Sequence, residues 1–231
     1  MKQLFKKVSL FVLFFANICC ISCNQKVKPT NERCIVELIG TKIDYPELVA
    51  LAQKNGADDT QLYRWKNHVV LYAYFKKIEA FKKQLIDNFP DIEIKIYNKP
   101  YYNFLKAERC PESSAAPKWK HILLTARLVD NKKKQQEYME YHKTQFEKWP
   151  EIAEGFCNAD FQQLVCYRNG RQLMLVISIP ADKTLDELNP KTVENNPRMD
   201  EWNKIMSKYQ EGINGTNPGE TWVFLNKIEN K

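Results

Sequence analysis

The sequence predicts an α+β protein made of two tandem β-α-β-β-α-β units. Three observations lead there. The same order of apolar-periodic segments runs twice along the chain, a small, polar, Pro-bounded stretch from Pro111 to Pro117 separates the two runs, and each run centres on a turn-marked pair of β-rich segments. Units of this order are ferredoxin-like, and two in one chain pack sheet against sheet as a single-chain, dimeric-type α/β barrel. Each half has only about 80–110 residues, so mutual burial of sheet faces supplies core that neither half has alone.

Ahead of the first unit, Lys2, Lys6 and Lys7 form a short basic stretch, and residues 8–21 are almost wholly apolar. Such a run makes a helix of roughly 21 Å, short of a bilayer core of about 30 Å. It has the proportions of a signal-peptide core. Cys23 follows Ser22, with Ile21 at −2 and Cys20 at −3, which resembles a bacterial lipobox. Residues 1–22 are therefore read as a signal peptide and 23–33 as a polar tether lipidated at Cys23. The expected location is periplasm-facing, on the outer membrane of a bacterium, with the membrane engaged through that lipid only. Removal of three lysines takes the net charge from +7 to about +4. The one dense basic run, Lys132, Lys133 and Lys134, is flanked by Asp130 and Gln135 and reads as a solvated helix start; no nucleic-acid partner is expected.

In the first unit, residues 34–110, a strand over 34–40 comes first. Asp44 is the N-cap of a helix with Pro46 in its first turn, Tyr45, Leu48 and Ala52 on one face and Gly56 as its stop. Residues 60–65 and 68–75 pair as a hairpin across Lys66 and Asn67. Ile78, Phe81, Leu85 and Ile86 stripe a second helix that Pro90 ends, and Ile92, Ile94 and Ile96 mark the fourth strand. After a linker over 111–118, the second unit, 119–231, repeats the order. A strand over 121–129 leads to a long helix over about 131–148. Strands over 161–167 and 172–179 pair across Arg168-Asn169-Gly170-Arg171, where Asn-Gly is a strong turn signal, before a helix over 198–210 and a final strand over 221–228.

Cys34, Cys110, Cys157 and Cys166 remain after Cys23. None stands at C-x-x-C spacing, and His68, His121 and His142 form no ligand cluster with them, so neither a metal site nor a cofactor is expected. The first and fourth strands of a unit are antiparallel neighbours, and Cys34 opens the first while Cys110 follows the fourth. A Cys34–Cys110 disulfide is the expected pairing, in a compartment that permits it, with Cys157 and Cys166 left as thiols.

Chemistry concentrates in the second unit. Tyr138 and His142 stand four apart on the long helix and share a face, with Trp149 about two turns on. Taken alone, Tyr138, His142, Phe146 and Trp149 are also how an amphipathic helix packs on a sheet. The stretch Glu137, Tyr138 to His142, then Trp149, Pro150, Glu151 and Ile152, resembles the E-Y-x-x-x-H and W-P-E-L signatures of the L-rhamnose mutarotase family. Trp202 to Met206 is similar to its W-W-x-x-M segment, and Asn217-Pro218 to its later N-P. The resemblance spans about residues 119–228. It implies a small neutral sugar as substrate, interconversion of anomers without a cofactor, His142 as proton donor, Tyr138 in contact with the sugar and Trp202 as an apolar wall. Three features differ from the family pattern. About three more residues separate His142 from Trp149, the second tryptophan is Asn203, and the family's second substrate tyrosine is replaced by Phe161 or by nearby Gln162 or Gln163. Phe161, Gln163 and Asn203 are therefore the remaining candidates for substrate contact, and a related deoxyhexose is as well served as rhamnose. The first half stands where a dimer partner would, giving a monomeric pseudo-dimer or a weak homodimer, with His68, Tyr72, Tyr74 and Trp65 as candidates to line a groove from that side. Two other readings stay open: a non-catalytic sugar- or glycan-binding lipoprotein on the same barrel, and oxidation or haem chemistry on such a barrel.

Overall fold

A computed structural model of the chain describes residues 33–110 and 115–229; the signal peptide, Cys23, most of the tether and residues 111–114 of the linker lie outside the described residues. The first half runs β1 (Arg33–Ile39), α1 (Tyr45–Lys54), β2 (Ala57–Trp65), β3 (His68–Phe75), α2 (Ile78–Asn88) and β4 (Glu93–Tyr97). Asp44 caps α1, its carboxylate accepting from the Glu47 amide. The second half runs β6 (Trp119–Leu128), α4 (Lys132–Lys143), α5 (Gln145–Lys148), α6 (Pro150–Asn158), β7 (Gln163–Asn169), β8 (Gln172–Pro180), α7 (Leu185–Leu188), α8 (Pro197–Met206), β9 (Gln210–Glu211) and β10 (Val223–Ile228). Between the halves lie β5 (Pro100–Leu105) and α3 (Lys106–Arg109).

The sheet runs in the order β4-β1-β3-β2-β10-β6-β8-β7-β5, with β9 attached to β6. It contains the ferredoxin-like order twice, 4-1-3-2 in each half, joined where β2 meets β10. All its pairings are antiparallel. The two ends of the path, β4 and β5, are separated by residues 98–99 only, and the Asn169 side chain of β7 donates to the Ile96 carbonyl of β4 at 3.0 Å. The result is a nearly closed barrel of the dimeric α/β type, held within one chain.

Strand alternation sorts the core into layers. Along β1, Ile35 and Glu37 face the barrel interior, while Val36 and Leu38 pack beneath α1 and α2. The interior is filled from both halves, by Tyr63, Val70 and Tyr72 on one side and Leu123, Met174 and Val176 on the other. Outside the second sheet, Leu173, Tyr138, Trp149, Met199 and Trp202 form the layer shared with α4, α6 and α8. That layer holds the site.

Four expectations change. The long helix over 131–148 breaks at Thr144, which ends α4 and begins α5. The strand expected to start at Phe161 starts at Gln163 and runs on to Asn169, which pairs with Gln172 across a tight turn with Gly170 at φ +59°. Residues 100–105, read as the tail of the first unit, form a ninth strand of the sheet path that pairs with β7 of the second half. The disulfide joins Cys110 to Cys157, not to Cys34. The last two are one fact. Having left β4 beside β1, the chain crosses to the far edge of the other sheet and carries Cys110 to α6, away from Cys34. Cys34 keeps its thiol against the Asn98 carbonyl at 3.5 Å, and Cys166 is a buried thiol.

Candidate active site

α4 delivers the two residues that the sequence singles out. Asn131 caps it through the Lys134 amide, and Tyr138 and His142 project together toward the sheet, ring centroids 4.3 Å apart. His142 Nδ1 donates to the Tyr138 carbonyl one turn back at 3.0 Å. A proton on Nδ1 leaves Nε2 as the acceptor of a neutral ring, and no described residue bonds it. The imidazole is caged by aromatic rings: Tyr101 and Tyr102 of β5 each at 5.5 Å, and Trp202 of α8 at 5.3 Å, all near edge-on. Only 8% of the residue is exposed. That burial pushes the His142 pKa down to about 4, partly offset by the bond to Tyr138.

His142 is not sealed off. It forms part of the wall of a cavity of about 490 Å³ between the helix layer and the second sheet, a volume that suits a small ligand. Ile152, Phe156, Leu164, Ile177, Met199 and Met206 give that cavity apolar surface; Tyr138, Asn203, Gln210 and Asn189 give it hydrogen-bonding groups. The Tyr138 hydroxyl sits in a chain with Tyr101 at 3.0 Å and the Gln210 amide at 3.2 Å, and Gln210 in turn accepts from the Trp222 indole at 3.1 Å. Burial holds the phenols of Tyr101, Tyr102 and Tyr138 above their usual range, so all three remain protonated at neutral pH. Burial likewise pushes the Cys166 thiol, also on the wall, up to about 12.

The cavity therefore gathers His142, Tyr138, Trp202, Asn203 and Phe161. Gln163 is not among them. Its side chain meets Asn103 at 3.3 Å beside a separate depression that includes Arg33 and Tyr74. A strand starting at Gln163 turns that side chain to the opposite face from Leu164, which does reach the cavity. Gln162 is buried and bonded to Asp160 and the Ala116 amide. From the first half, His68, Tyr72, Tyr74 and Trp65 stay out of the cavity; His68 is bonded to Glu37 in the barrel at 2.7 Å. Tyr101, Tyr102, Gln145, Gln210 and Trp222 were not singled out in the sequence. The aromatic pair after Pro100 was the available signal, since two tyrosines and a phenylalanine in six residues are strand-like.

A family profile described as L-rhamnose mutarotase matches residues 121–228. That match spans nearly the whole second half of the chain. An L-fucose mutarotase of Xanthomonas campestris pv. campestris is 26% identical over 97 residues, which is 40% of this chain and 72% of that protein. A UPF0734 protein of Dictyostelium discoideum is 29% identical over 104 residues, 44% of this chain and 81% of its own length. The matched segment contains α4, α6, α8 and the four strands behind them, hence every cavity residue of the family motifs. It excludes β5. The family supports sugar mutarotase chemistry in general, with a small sugar as substrate.

Proposed function

We propose that the protein is a sugar mutarotase that interconverts the anomers of L-rhamnose or a related deoxyhexose, with His142 as the proton donor. The observation that carries this reading is an imidazole with an unbonded Nε2 on the wall of a sugar-sized cavity. Ring opening of a hemiacetal takes the proton from the anomeric hydroxyl, breaks the bond from C1 to the ring oxygen and protonates that oxygen. Those two oxygens share one carbon. A neutral His142 serves both: Nε2 accepts the hydroxyl proton as the C1–O electron pair leaves for the ring oxygen, then donates the proton there. Rotation about the C1–C2 bond and the reverse steps give the other anomer. Tyr138 and Asn203 offer hydrogen bonds to sugar hydroxyls, Trp202 and Phe161 flank an apolar sugar face, and the apolar wall suits the methyl group of a 6-deoxy sugar. Positioned acid–base groups give about 10²–10⁴-fold.

The same proposal places the mature protein outside the inner membrane, anchored through Cys23, as a monomeric pseudo-dimer or weak homodimer that needs no cofactor. Among the described residues, no helix is long and apolar enough to cross a membrane.

Exchange NMR of the two anomeric protons tests the reading. Wild-type protein should raise the exchange rate of at least one deoxyhexose, and His142→Ala should abolish the increase while retaining the wild-type circular dichroism. No acceleration for any deoxyhexose overturns it. Saturable sugar binding without acceleration, surviving His142→Ala, favours the non-catalytic sugar-binding reading.

A further inference from the structure

We propose that the first half of the chain is an internal subunit that completes the sugar site through Tyr102, a positioning residue that β5 brings across the barrel and Gln145 clamps over His142. This rests on the mutarotase reading above, and three independent features of the fold support it.

The first is topological. β5 follows β4 by two residues, yet its hydrogen bonds go to β7 of the other half, from Pro100↔Tyr167 to Leu105↔Gln163. The strand's far end is fastened to that half as well. Lys106 of α3 pairs with Asp160, and Cys110 is bonded to Cys157 of α6. A segment outside the family-matched region is thus fixed along the edge of the sheet that backs the cavity.

The second is a local irregularity. Consecutive residues of a regular strand point to opposite faces. Tyr101 and Tyr102 nevertheless both lie edge-on to His142 at 5.5 Å. The β5–β7 register shifts between Pro100 and Tyr102, and a bulge of this kind re-aims one side chain relative to its neighbour. Tyr101 meets the Tyr138 hydroxyl; Tyr102 joins the cavity wall.

The third is the clamp. The Tyr102 hydroxyl donates to Gln145 Oε1 at 2.7 Å, and the Gln145 amide donates to the Trp149 carbonyl at 2.8 Å. Gln145 is fully buried and opens α5, in the very stretch where this chain has about three more residues between His142 and Trp149 than the family pattern. The two departures meet at one hydrogen bond. The longer connection supplies Gln145, the strand that follows the first half supplies Tyr102, and the pair adds a phenol to the cavity wall. The Tyr102 ring edge fixes the plane of the imidazole, and geometry of this kind governs how well a bound group reaches its reacting atom.

The test uses the full chain with Tyr102→Phe, which keeps the ring and loses the clamp, and Tyr102→Ala, which loses both. Three quantities are read: the kcat/KM split for anomer exchange, the equilibrium Kd of the sugar by ligand NMR, and the titration of the His142 ring by its carbon-bound protons. Tyr102→Phe should lower kcat/KM about three- to tenfold, and Tyr102→Ala about a hundredfold with most of the loss in kcat, since a misplaced acid–base group loses transition-state stabilisation rather than ground-state binding. In Tyr102→Ala the His142 midpoint should also rise from about 4 toward the value of a free imidazole as its shield is removed. An unchanged kcat/KM and an unchanged His142 titration in Tyr102→Ala overturn the proposal while leaving the mutarotase reading intact. A wild-type protein without any anomer exchange sinks the mutarotase reading instead, and the titration and Kd arms then still decide whether Tyr102 shapes the His142 site.

Discussion

At neutral pH the His142 ring is uncharged. Burial lowers its pKa to about 4, and its Nδ1 proton is held by the Tyr138 carbonyl, so in the proposed reaction Nε2 would accept before it donates. The catalysed rate, with the spontaneous rate subtracted, should therefore stay level from pH 8 to about pH 5 and fall below that with a midpoint near 4. A midpoint near the ordinary histidine value would mean that the ring is solvated in solution. Folding stability follows the same shift. The unfolded ring takes a proton near its ordinary value of 6.5 and the folded ring only near 4, so its contribution is complete above 6.5 and is lost as pH falls from 6.5 to 4. His121 is lowered to about 4 as well, by burial and then by Arg33 and Lys227, and acts in the same window. The urea midpoint should drop between pH 7 and pH 4.5, and by less in His142→Gln, which has no such group to charge.

The elements divide into those the sequence announced and one it hid. Asp44 and Asn131 at helix starts, the 66–67 and 169–170 turns and the alternation of Ile92, Ile94 and Ile96 are local signals, and each led to an element of the right type. The Tyr138–His142 spacing, together with the ordered family motifs, located one wall of the cavity for the same reason: helical neighbours four apart need no knowledge of the rest of the chain. β5 is different. Its residues are strand-like, but that it pairs with β7 rather than extending the first unit is a long-range event with no local mark, and three misses descend from it: the opposite aromatic wall, the clamp on Tyr102 and the partner of Cys110. The disulfide offers a direct measure of how firmly β5 is held. It joins residues 47 positions apart in sequence, Cys110 and Cys157, so the loop-entropy relation gives about 4 kcal/mol as an upper figure. Cys110→Ser with Cys157→Ser should lose about 2–4 kcal/mol in urea unfolding and speed amide exchange in 100–105 more than in β1 or β3. Equal exchange everywhere would show that the β5–β7 ladder holds without the bond.

At the scale of the molecule, the question is what keeps two ferredoxin-like halves in one register. Most of the barrel interior is apolar and non-directional, with Ile35, Val70, Leu123 and Val176 meeting across it. Near one end a polar cluster gives direction. Glu37 of β1 is fully buried, and its carboxylate accepts from His68 at 2.7 Å, from the Tyr97 hydroxyl at 2.8 Å and from the Gln172 amide at 2.9 Å. Gln172 belongs to the other half, also donates to Thr125 at 3.2 Å, and accepts from Lys95 at 2.7 Å. One carboxylate thus ties three strands of the first half to β8 of the second. Apolar residues of equal volume would hold the halves at least as strongly, but a hydrogen-bonded cluster accepts only one alignment, which is the use to which buried polar groups are best put. Glu37→Ala takes the carboxylate from three buried groups and leaves the Gln172 amide donor with Thr125 alone. It should cost about 3–5 kcal/mol in urea unfolding, an order usual for breaking a buried charged cluster, whereas Glu37→Gln, which keeps one acceptor, should cost less. Glu37 faces the barrel interior and the sugar cavity lies on the outer side of the second sheet, so anomer exchange per folded molecule should stay within about twofold of wild type, as independent sites do. A loss below about 1 kcal/mol would show that water reaches the cluster and that apolar contacts alone set the register. A folded Glu37→Ala protein with a collapsed exchange rate would instead show that the alignment of the halves sets how β5 presents its tyrosines to His142.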